Sequence, residues 1–147
     1  MVYLDSSSLL KLLWPEPESD ALRNHISAED VVIVSSLTQL ESQVQLRAAC
    51  LAGRYRETRW RQFLAKLDEF RNTDPFRFED LHATVFQTAL RQDRSQRKSH
   101  CRTLDRLHLA AMEELNVTRL ITHDANQAQA ARAIGFHVLV PGGQGTP

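Results

Sequence analysis

Cysteine, glycine and proline are scarce in this 147-residue sequence. The two cysteines, Cys50 and Cys101, are too few for a disulfide framework or a zinc site built on thiolates, which favours a reducing cytoplasm. Five glycines and five prolines are too few for a disordered chain. No apolar run approaches the roughly 18 residues of a membrane span, and no basic leader precedes Val2. We therefore expect a globular, cytoplasmic protein.

An excess of charge of either sign is also missing. The 18 Lys and Arg residues balance 18 Asp and Glu residues, so the formal net charge is zero. Such a chain has no global positive field to hold nucleic acid nonspecifically, so any site for a polyanion must be local. The length and a hydrophobic content of 42% suit one ordinary domain. We expect this domain to span residues 1–141, with a flexible tail at 142–147.

Short apolar runs rich in β-branched residues alternate with helical patterns along the chain. The runs predict buried strands at residues 2–4, 31–34, 120–122 and 138–140, with a candidate fifth strand at 76–78. The clearest helical patterns lie at residues 37–51, 60–70, 81–90 and 104–115. This alternation predicts an α/β fold with a mainly parallel central sheet of four or five strands flanked by helices. Gly53 separates two of the helices, which indicates an inserted helical hairpin.

Four acidic residues fall where a parallel sheet places its reactive edge, beyond the carboxyl ends of the strands. Asp5 follows the first strand directly, and Asp124 follows the strand at 120–122. Glu41 lies in the first turns of the helix after the second strand, and Asp105 lies in the first turn of a later helix. We expect these four side chains to converge.

Each acid also has a purely structural interpretation. Asp5 and Asp124 are good N-caps for the helices that follow them. Glu41 stands three residues after Thr38, the spacing of a capping box. Asp105 suits the positive end of a helix dipole. Both interpretations stay open from the sequence.

Four carboxylates within a few ångströms of one another require a cation, because like charges raise one another's pKa. Oxygen ligands select a hard metal, Mg²⁺ or Mn²⁺. Such ions commonly activate water and neutralise the charge that develops in phosphoryl transfer. The convergence would therefore predict phosphodiester hydrolysis.

The chain resembles the PIN-domain nucleases and, within them, the VapC-like toxins of bacterial toxin-antitoxin pairs. Four blocks carry the resemblance in order: YLDSSSLLKL at 3–12, SSLTQLE at 35–41, RTLDRLHLAA at 102–111 and LITHD at 120–124. The third block is the most specific. The resemblance implies a three-layer PIN-like domain and a Mg²⁺- or Mn²⁺-dependent endoribonuclease whose products carry 5′-phosphate and 3′-hydroxyl ends.

The resemblance also implies roles for the four acids. Asp5 and Asp105 match the central metal ligands, and Asp124 and Glu41 complete the cluster directly or through water. All four are thus the expected catalytic residues. The same four were selected above from their places at the strand ends.

Further positions match smaller features of the family. Ser7 and Thr122 match hydroxyl positions beside the first and last acids, where they would orient ligands or water, or else make ordinary hydrogen bonds at a helix start and a strand end. His108 lies one turn after Asp105 and matches the family's His-Leu-Ala, with a packing or hydrogen-bonding role favoured over catalysis. Ala125-Asn126 stand where many relatives have a basic residue and another acid, which puts a second metal in question.

Basic residues that lead into the third block, and others within it, offer local contacts for RNA phosphates. The candidates are Arg97, Lys98, Arg102 and Arg106. A solvated helix face is the alternative interpretation of the run. For Arg106, which follows Asp105, neutralisation of the local acids is favoured over contact with substrate.

The resemblance implies an RNA substrate, an antitoxin protein that covers the site, and a homodimer. Trp14-Pro15 and the apolar stripe at 60–70 are candidate partner surfaces, although packing in the domain's own core is favoured for both. A noncatalytic PIN-fold module that binds RNA or protein is the alternative function. A phosphatase of another α/β family fits less well, because Asp5-Ser6-Ser7 lacks the second aspartate of an Asp-x-Asp nucleophile motif.

Overall fold

A computed structural model describes residues 1–95 and 101–143 of the chain. Its strands are β1 (Val2–Leu4), β2 (Val32–Ser35), β3 (Phe76–Glu79), β4 (Arg119–Ile121) and β5 (His137–Leu139). Its helices are α1 (Ser6–Leu13), α2 (Ser19–Ser27), α3 (Ser36–Leu51), α4 (Glu57–Phe70), α5 (Thr84–Ser95), α6 (Thr103–Glu114) and α7 (Ala125–Ala133). Among these residues no helix is long and apolar enough to cross a membrane.

The five strands form one parallel sheet in the order β3-β2-β1-β4-β5. β1 is central, and the chain extends the sheet to one side through β2 and β3 before it crosses to the other side with β4 and β5. The strand order therefore reverses between β1 and β4, which is where α/β sheets place their ligand sites. The predicted α/β class and parallel sheet are confirmed, and the candidate fifth strand is real.

Side chains alternate between the two faces of β1 and build two cores. Val2 and Leu4 belong to a core with the helices α1 to α4, whose buried members include Leu9, Leu22, Leu46, Phe63 and Leu67. Tyr3 belongs to the opposite core with α5, α6 and α7, whose buried members include Ile33, Leu109, Met112 and Leu120. Because helices cover both faces of the sheet, the domain has three layers. For the same reason most of the strand sequences are continuous apolar runs rather than alternating ones.

The predicted helical hairpin is present as α3 and α4. Gly53 follows α3 with φ of +73°, a left-handed conformation that suits glycine at a helix end. Phe63, Leu67 and Phe70 of α4 are buried in the first core, and the Trp14 ring packs edge-on against Phe63 with 6.1 Å between centroids. The apolar stripe of this helix therefore packs within the domain, as favoured from the sequence.

Element ends differ from the predictions by a few residues. The helix predicted at 81–90 runs instead from Thr84 to Ser95, because Leu81 belongs to the link from β3, where its N–H donates to Ser36 Oγ at 3.2 Å. Of the predicted tail, residues 142 and 143 lie in a turn region after β5, and residues 144–147 lie outside the described part of the chain.

Candidate active site

The site forms where β1 and β4 end side by side. Leu4 pairs with Ile121, and the Asp5 N–H donates to the Ile121 carbonyl at 3.2 Å. This register places Thr122 beside Asp5, and the Thr122 hydroxyl donates to Asp5 Oδ2. The Asp124 N–H in turn donates to Thr122 Oγ1 at 3.0 Å. The first and last acids of the sequence are thus linked through one threonine.

Asp5 is both a helix cap and a buried carboxylate. Its Oδ1 accepts the Ser8 N–H at 3.0 Å as the N-cap of α1, and the Ser7 hydroxyl donates to the same carboxylate at 2.8 Å. The residue is only 3% exposed. Burial raises the pKa of Asp5 above its usual value, although the Thr122 hydrogen bond acts against this. Within the described ranges Asp5 has no Lys or Arg ion-pair partner, and the nearby cation that acts on its charge is the His108 imidazolium.

Asp105 and Asp124 are joined by a guanidinium. Arg102 Nε donates to Asp105 Oδ2 at 2.8 Å and Nη2 donates to Asp105 Oδ1 at 3.1 Å. Nη2 also donates to Asp124 Oδ2 at 2.5 Å. The pKa of Arg102 rises above its ordinary value because of these two carboxylates, Asp105 first.

Asp124 is the N-cap of α7, and its Oδ1 accepts the N–H groups of Asn126 at 2.8 Å and Gln127 at 3.1 Å. Partial burial acts to raise the pKa of Asp124, but these N–H groups and Arg102 outweigh it and lower the pKa. Asp105 lies in the first turn of α6 and is 7% exposed. The N-cap interpretations of Asp5 and Asp124 are therefore confirmed, while the same side chains face the site.

Glu41 is at one end of a series of hydrogen bonds that connects it through His108 and Tyr3 to Ser35. His108 Nε2 lies 2.5 Å from Glu41 Oε2, and His108 Nδ1 lies 2.8 Å from the Tyr3 hydroxyl. Tyr3 continues to Ser35 Oγ at 2.6 Å. Burial disfavours a charged imidazole, yet Tyr3, Glu41 and Asp5 together raise the pKa of His108 to about 10. His108 is therefore a cation at neutral pH and donates from both ring nitrogens.

The capping box predicted for Thr38 and Glu41 is wrong. The N-cap of α3 is Ser35, whose hydroxyl oxygen accepts the Thr38 N–H at 3.1 Å. Because the N-cap lies three residues before the predicted cap, Glu41 lies in the second turn of the helix. Its carboxylate accepts the Ser6 hydroxyl at 2.8 Å in addition to His108. Burial acts to raise the pKa of Glu41, but His108 and Ser6 outweigh it and lower the pKa.

The sequence therefore places all four acids at one edge, connected through short bridges. Thr122 links Asp5 to the Asp124 backbone, Arg102 links Asp124 to Asp105, and α6 carries both Asp105 and the histidine that holds Glu41. In this arrangement, no three His, Cys, Asp or Glu side chains in ranges 1–95 and 101–143 lie close enough together to hold a metal ion.

The donor chemistry at this edge fits a hard divalent cation. All four candidate ligands are carboxylates, which Mg²⁺ and Mn²⁺ prefer. The Asp5 carboxylate is desolvated by burial, so a bound cation would favour its charged form. The guanidinium between Asp105 and Asp124 shows that a positive charge is accepted there.

The predicted basic contacts have different outcomes. Arg97 and Lys98 lie outside the described residues. Arg102 binds the acids, and its contact with RNA stays a prediction. Arg106 is 5% exposed and lies on the α6 face that packs against α5, beside Phe86 and Leu90. This low exposure weighs against contact with an RNA phosphate, which stays a prediction. Arg106 Nε and Nη1 have no hydrogen-bond partner among the described residues.

The sequence analysis did not predict that three residues contact the acids of the site or their hydrogen-bond partners. Tyr3 was interpreted only as a strand residue, although its polar hydroxyl signals a need for a buried partner. Ser6 was not distinguished from its serine neighbours. Arg102 was assigned to substrate, although its place three residues before Asp105 is the spacing of a helical ion pair.

Comparison with known proteins places the chain in a family. The PIN domain profile matches residues 2–133. The chain is 34% identical over 142 residues to Ribonuclease VapC46 of Mycobacterium tuberculosis, with 95% of this chain and 97% of that protein covered. It is 31% identical over 146 residues to Ribonuclease VapC47 of the same species, with 97% and 98% covered.

Solved structures share the fold at low sequence identity. The structure of M. tuberculosis VapC20, a Sarcin-Ricin loop cleaving toxin, matches with a TM-score of 0.70 at 17% identity, over 92% of this chain and 96% of that one. VapBC2 from Rickettsia felis, bound to a DNA fragment from its promoter, matches with a TM-score of 0.68 at 18% identity, over 95% and 98%. The family profile and the full-length relatives agree, and the chain belongs to the PIN domain family, among the VapC ribonucleases.

Proposed function

We propose that the protein is a divalent-metal-dependent endoribonuclease and the toxin of a toxin-antitoxin pair. The observation that carries the proposal is that short bridges through Thr122, Arg102 and His108 connect the four acids at the carboxyl edge of the sheet, next to the reversal of strand order. Full-length similarity to proteins named as ribonucleases supports RNA as the substrate.

Asp5 and Asp105 are the proposed central ligands of Mg²⁺ or Mn²⁺, and Asp124 and Glu41 complete the set directly or through water. When bound, such an ion lowers the pKa of water and neutralises charge that develops at phosphorus. The ion would also compensate the buried charge of Asp5.

The surrounding side chains fix the ligands before substrate arrives. Ser7 and Thr122 donate to Asp5, and they leave its carboxylate little freedom to rotate. Ser6 and His108 do the same for Glu41. Because these carboxylates are already held in place, less rearrangement of the site is needed when the metal ion and substrate bind.

The reaction is hydrolysis at phosphorus. A bond forms between a water oxygen and phosphorus, the bond from phosphorus to the 3′ oxygen breaks, and that oxygen leaves with a proton. The products carry 5′-phosphate and 3′-hydroxyl ends. Attack by the neighbouring 2′-hydroxyl would instead leave a 2′,3′-cyclic phosphate, so the product ends distinguish the two routes.

An antitoxin partner and a homodimer belong to the same proposal. Solved complexes named VapBC2 and FitAB share the fold of this chain. A nuclease in the cytoplasm requires an inhibitor to protect the cell's own RNA. Light scattering on the purified chain tests the homodimer, which has twice the 16.8 kDa mass of the chain.

Brief expression followed by sequencing of RNA ends tests the nuclease directly. Wild type is compared with Asp5→Asn, which removes the charge but keeps an N-cap residue of equal quality for α1. Asp20→Asn on the exposed face of α2 is the matched control. We expect new 5′-phosphate ends in wild type and Asp20→Asn, and none in Asp5→Asn.

Three results would contradict the proposal. An unchanged cleavage rate in Asp5→Asn would mean that Asp5 is only a cap. Cleavage that persists in EDTA with cyclic phosphate ends would mean chemistry without a metal. Retention of RNA with no metal-dependent cleavage would favour the noncatalytic binding module instead.

A further inference from the structure

The exposed Arg102 side chain bridges two carboxylates of the acidic site. Its guanidinium contacts both oxygens of Asp105, at 2.8 and 3.1 Å, and Oδ2 of Asp124 at 2.5 Å. We propose that Arg102 is an internal cation of the acidic site, and that a divalent ion must displace it from Asp105 and Asp124 in order to bind. The inference rests on the proposed function, because it assumes that these acids take a metal.

The oxygens that Arg102 uses are the ones a metal would need. Asp124 Oδ1 accepts two backbone N–H groups as the cap of α7, so Oδ2 is the oxygen left for a ligand. Arg102 Nη2 donates to this Oδ2. Both oxygens of the buried Asp105 are also engaged by the guanidinium. Each of these oxygens keeps a second lone pair, but two cations this close repel each other, so the guanidinium and a metal ion compete for the same carboxylates.

The Arg102 backbone is fixed at the start of α6, whereas its side chain is exposed to solvent. Arg102 is the N-cap residue of α6, and its carbonyl accepts the Arg106 N–H at 2.9 Å. Its side chain is 60% exposed, so the guanidinium can leave the acids without opening either core. Among the described residues it is the only Lys or Arg that ion-pairs with any of the four acids. Among the described residues, Arg102 is thus the one arginine or lysine whose charge competes with a metal ion for these acids.

Competition of this kind sets the metal affinity. The contacts of Arg102 with Asp105 and Asp124 weaken metal binding, and metal binding weakens those contacts by the same free energy. Removal of the guanidinium should therefore strengthen metal binding. A purely structural salt bridge predicts the reverse, because its loss would loosen two of the ligands.

Calorimetric titration with Mn²⁺ separates the two outcomes. Wild type is compared with Arg102→Gln and with Arg91→Gln, a control that removes an equally exposed arginine paired with Glu113 near the other end of α6. We expect Arg102→Gln to bind Mn²⁺ about tenfold more tightly than wild type, since bonds to two carboxylates no longer need to break. Arg91→Gln should match wild type.

Arg102→Lys is a second variant in the same titration. It keeps the charge but reaches one carboxylate oxygen at a time, so its affinity should lie between those of wild type and Arg102→Gln. Affinities no tighter than wild type in both variants would overturn the inference while leaving the proposed function intact. Absence of Mn²⁺ binding in every variant would overturn the inference and the metal-dependent function together.

Nuclear magnetic resonance observes the displacement itself. The Arg102 Nε–H signal of protein with ¹⁵N-labelled arginine is assigned by its loss in Arg102→Gln. In EDTA this proton is bonded to Asp105 Oδ2. Saturating Mg²⁺ should shift the signal and speed its exchange with water. An unchanged signal at a Mg²⁺ concentration that calorimetry shows to be saturating would overturn the inference.

Discussion

Single residues at this site serve structure and chemistry at once. Asp5 caps α1 and Asp124 caps α7, while both present a carboxylate to the same edge of the sheet. Replacement by alanine would therefore remove a cap, at about 1 kcal/mol, together with a ligand. Asparagine is the better probe because it keeps the cap.

His108 is the residue whose charge links stability to pH. Its pKa is raised from 6.5 to about 10 in the folded protein. The stabilisation from its charged form is therefore complete below pH 6.5 and is lost as the pH rises towards 10. We expect the free energy of unfolding of wild type to fall over this range relative to His108→Gln.

Urea denaturation at several pH values measures this difference. His137→Gln, at an exposed position of β5, is the control and should parallel wild type. A difference between wild type and His108→Gln that stays constant from pH 6.5 to 10 would show that His108 is neutral in the folded protein.

Elements locate the site through their order and register. The order β3-β2-β1-β4-β5 puts β1 beside β4, so Asp5 and Thr122 meet although 117 positions separate them. The opposite edge of the sheet is structural. There Glu29, after α2, accepts two hydrogen bonds of 2.7 Å from Arg119 of β4.

Glu29→Gln tests this division of the sheet. The Arg119 hydrogen bonds lower the pKa of Glu29, so its stabilisation exists above pH 4.5 and is lost as the pH falls through the lower folded value. We expect Glu29→Gln to cost about 1 kcal/mol at pH 7 and to leave RNA cleavage unchanged. The cost should fade below pH 4.5; persistence of the full cost in acid, or loss of cleavage, would contradict the assignment.

The elements show what local patterns predict and what they do not. Residues 2–4 were predicted with correct bounds because a buried parallel strand is a plain apolar run. β3 was only a candidate, since it alternates Phe-Arg-Phe-Glu and is half-buried. The N-cap of α3 was misplaced because Ser35 and Thr38 are both good caps, and packing of Ser35 against Tyr3 decides between them.

For the site as well, local patterns predicted some residues and not others. Asp5 and Asp124 follow from strand ends, and Glu41 and Asp105 from the first turns of helices, all of which are local features of the sequence. The contacts of Tyr3, Ser6 and Arg102 depend on which elements pack together, and no local pattern carries that information. Strand order was likewise absent from the predictions.

At the scale of the whole molecule, a neutral chain concentrates unlike charges at one edge. Four acids, one guanidinium and one charged imidazole gather where β1 and β4 end. With no net positive field, attraction of RNA must depend on local groups of charge. The two apolar cores hold the edge in place from both faces of the sheet.

The central claim is that the four acids share a divalent ion. Anomalous diffraction from crystals of the protein soaked in Mn²⁺ locates that ion without reference to activity. We expect one strong peak within coordination distance of Asp5 and Asp105, with the Arg102 guanidinium moved away from Asp105 and Asp124. A crystal with saturating Mn²⁺ and no peak at this edge, or a peak only elsewhere, would contradict the account.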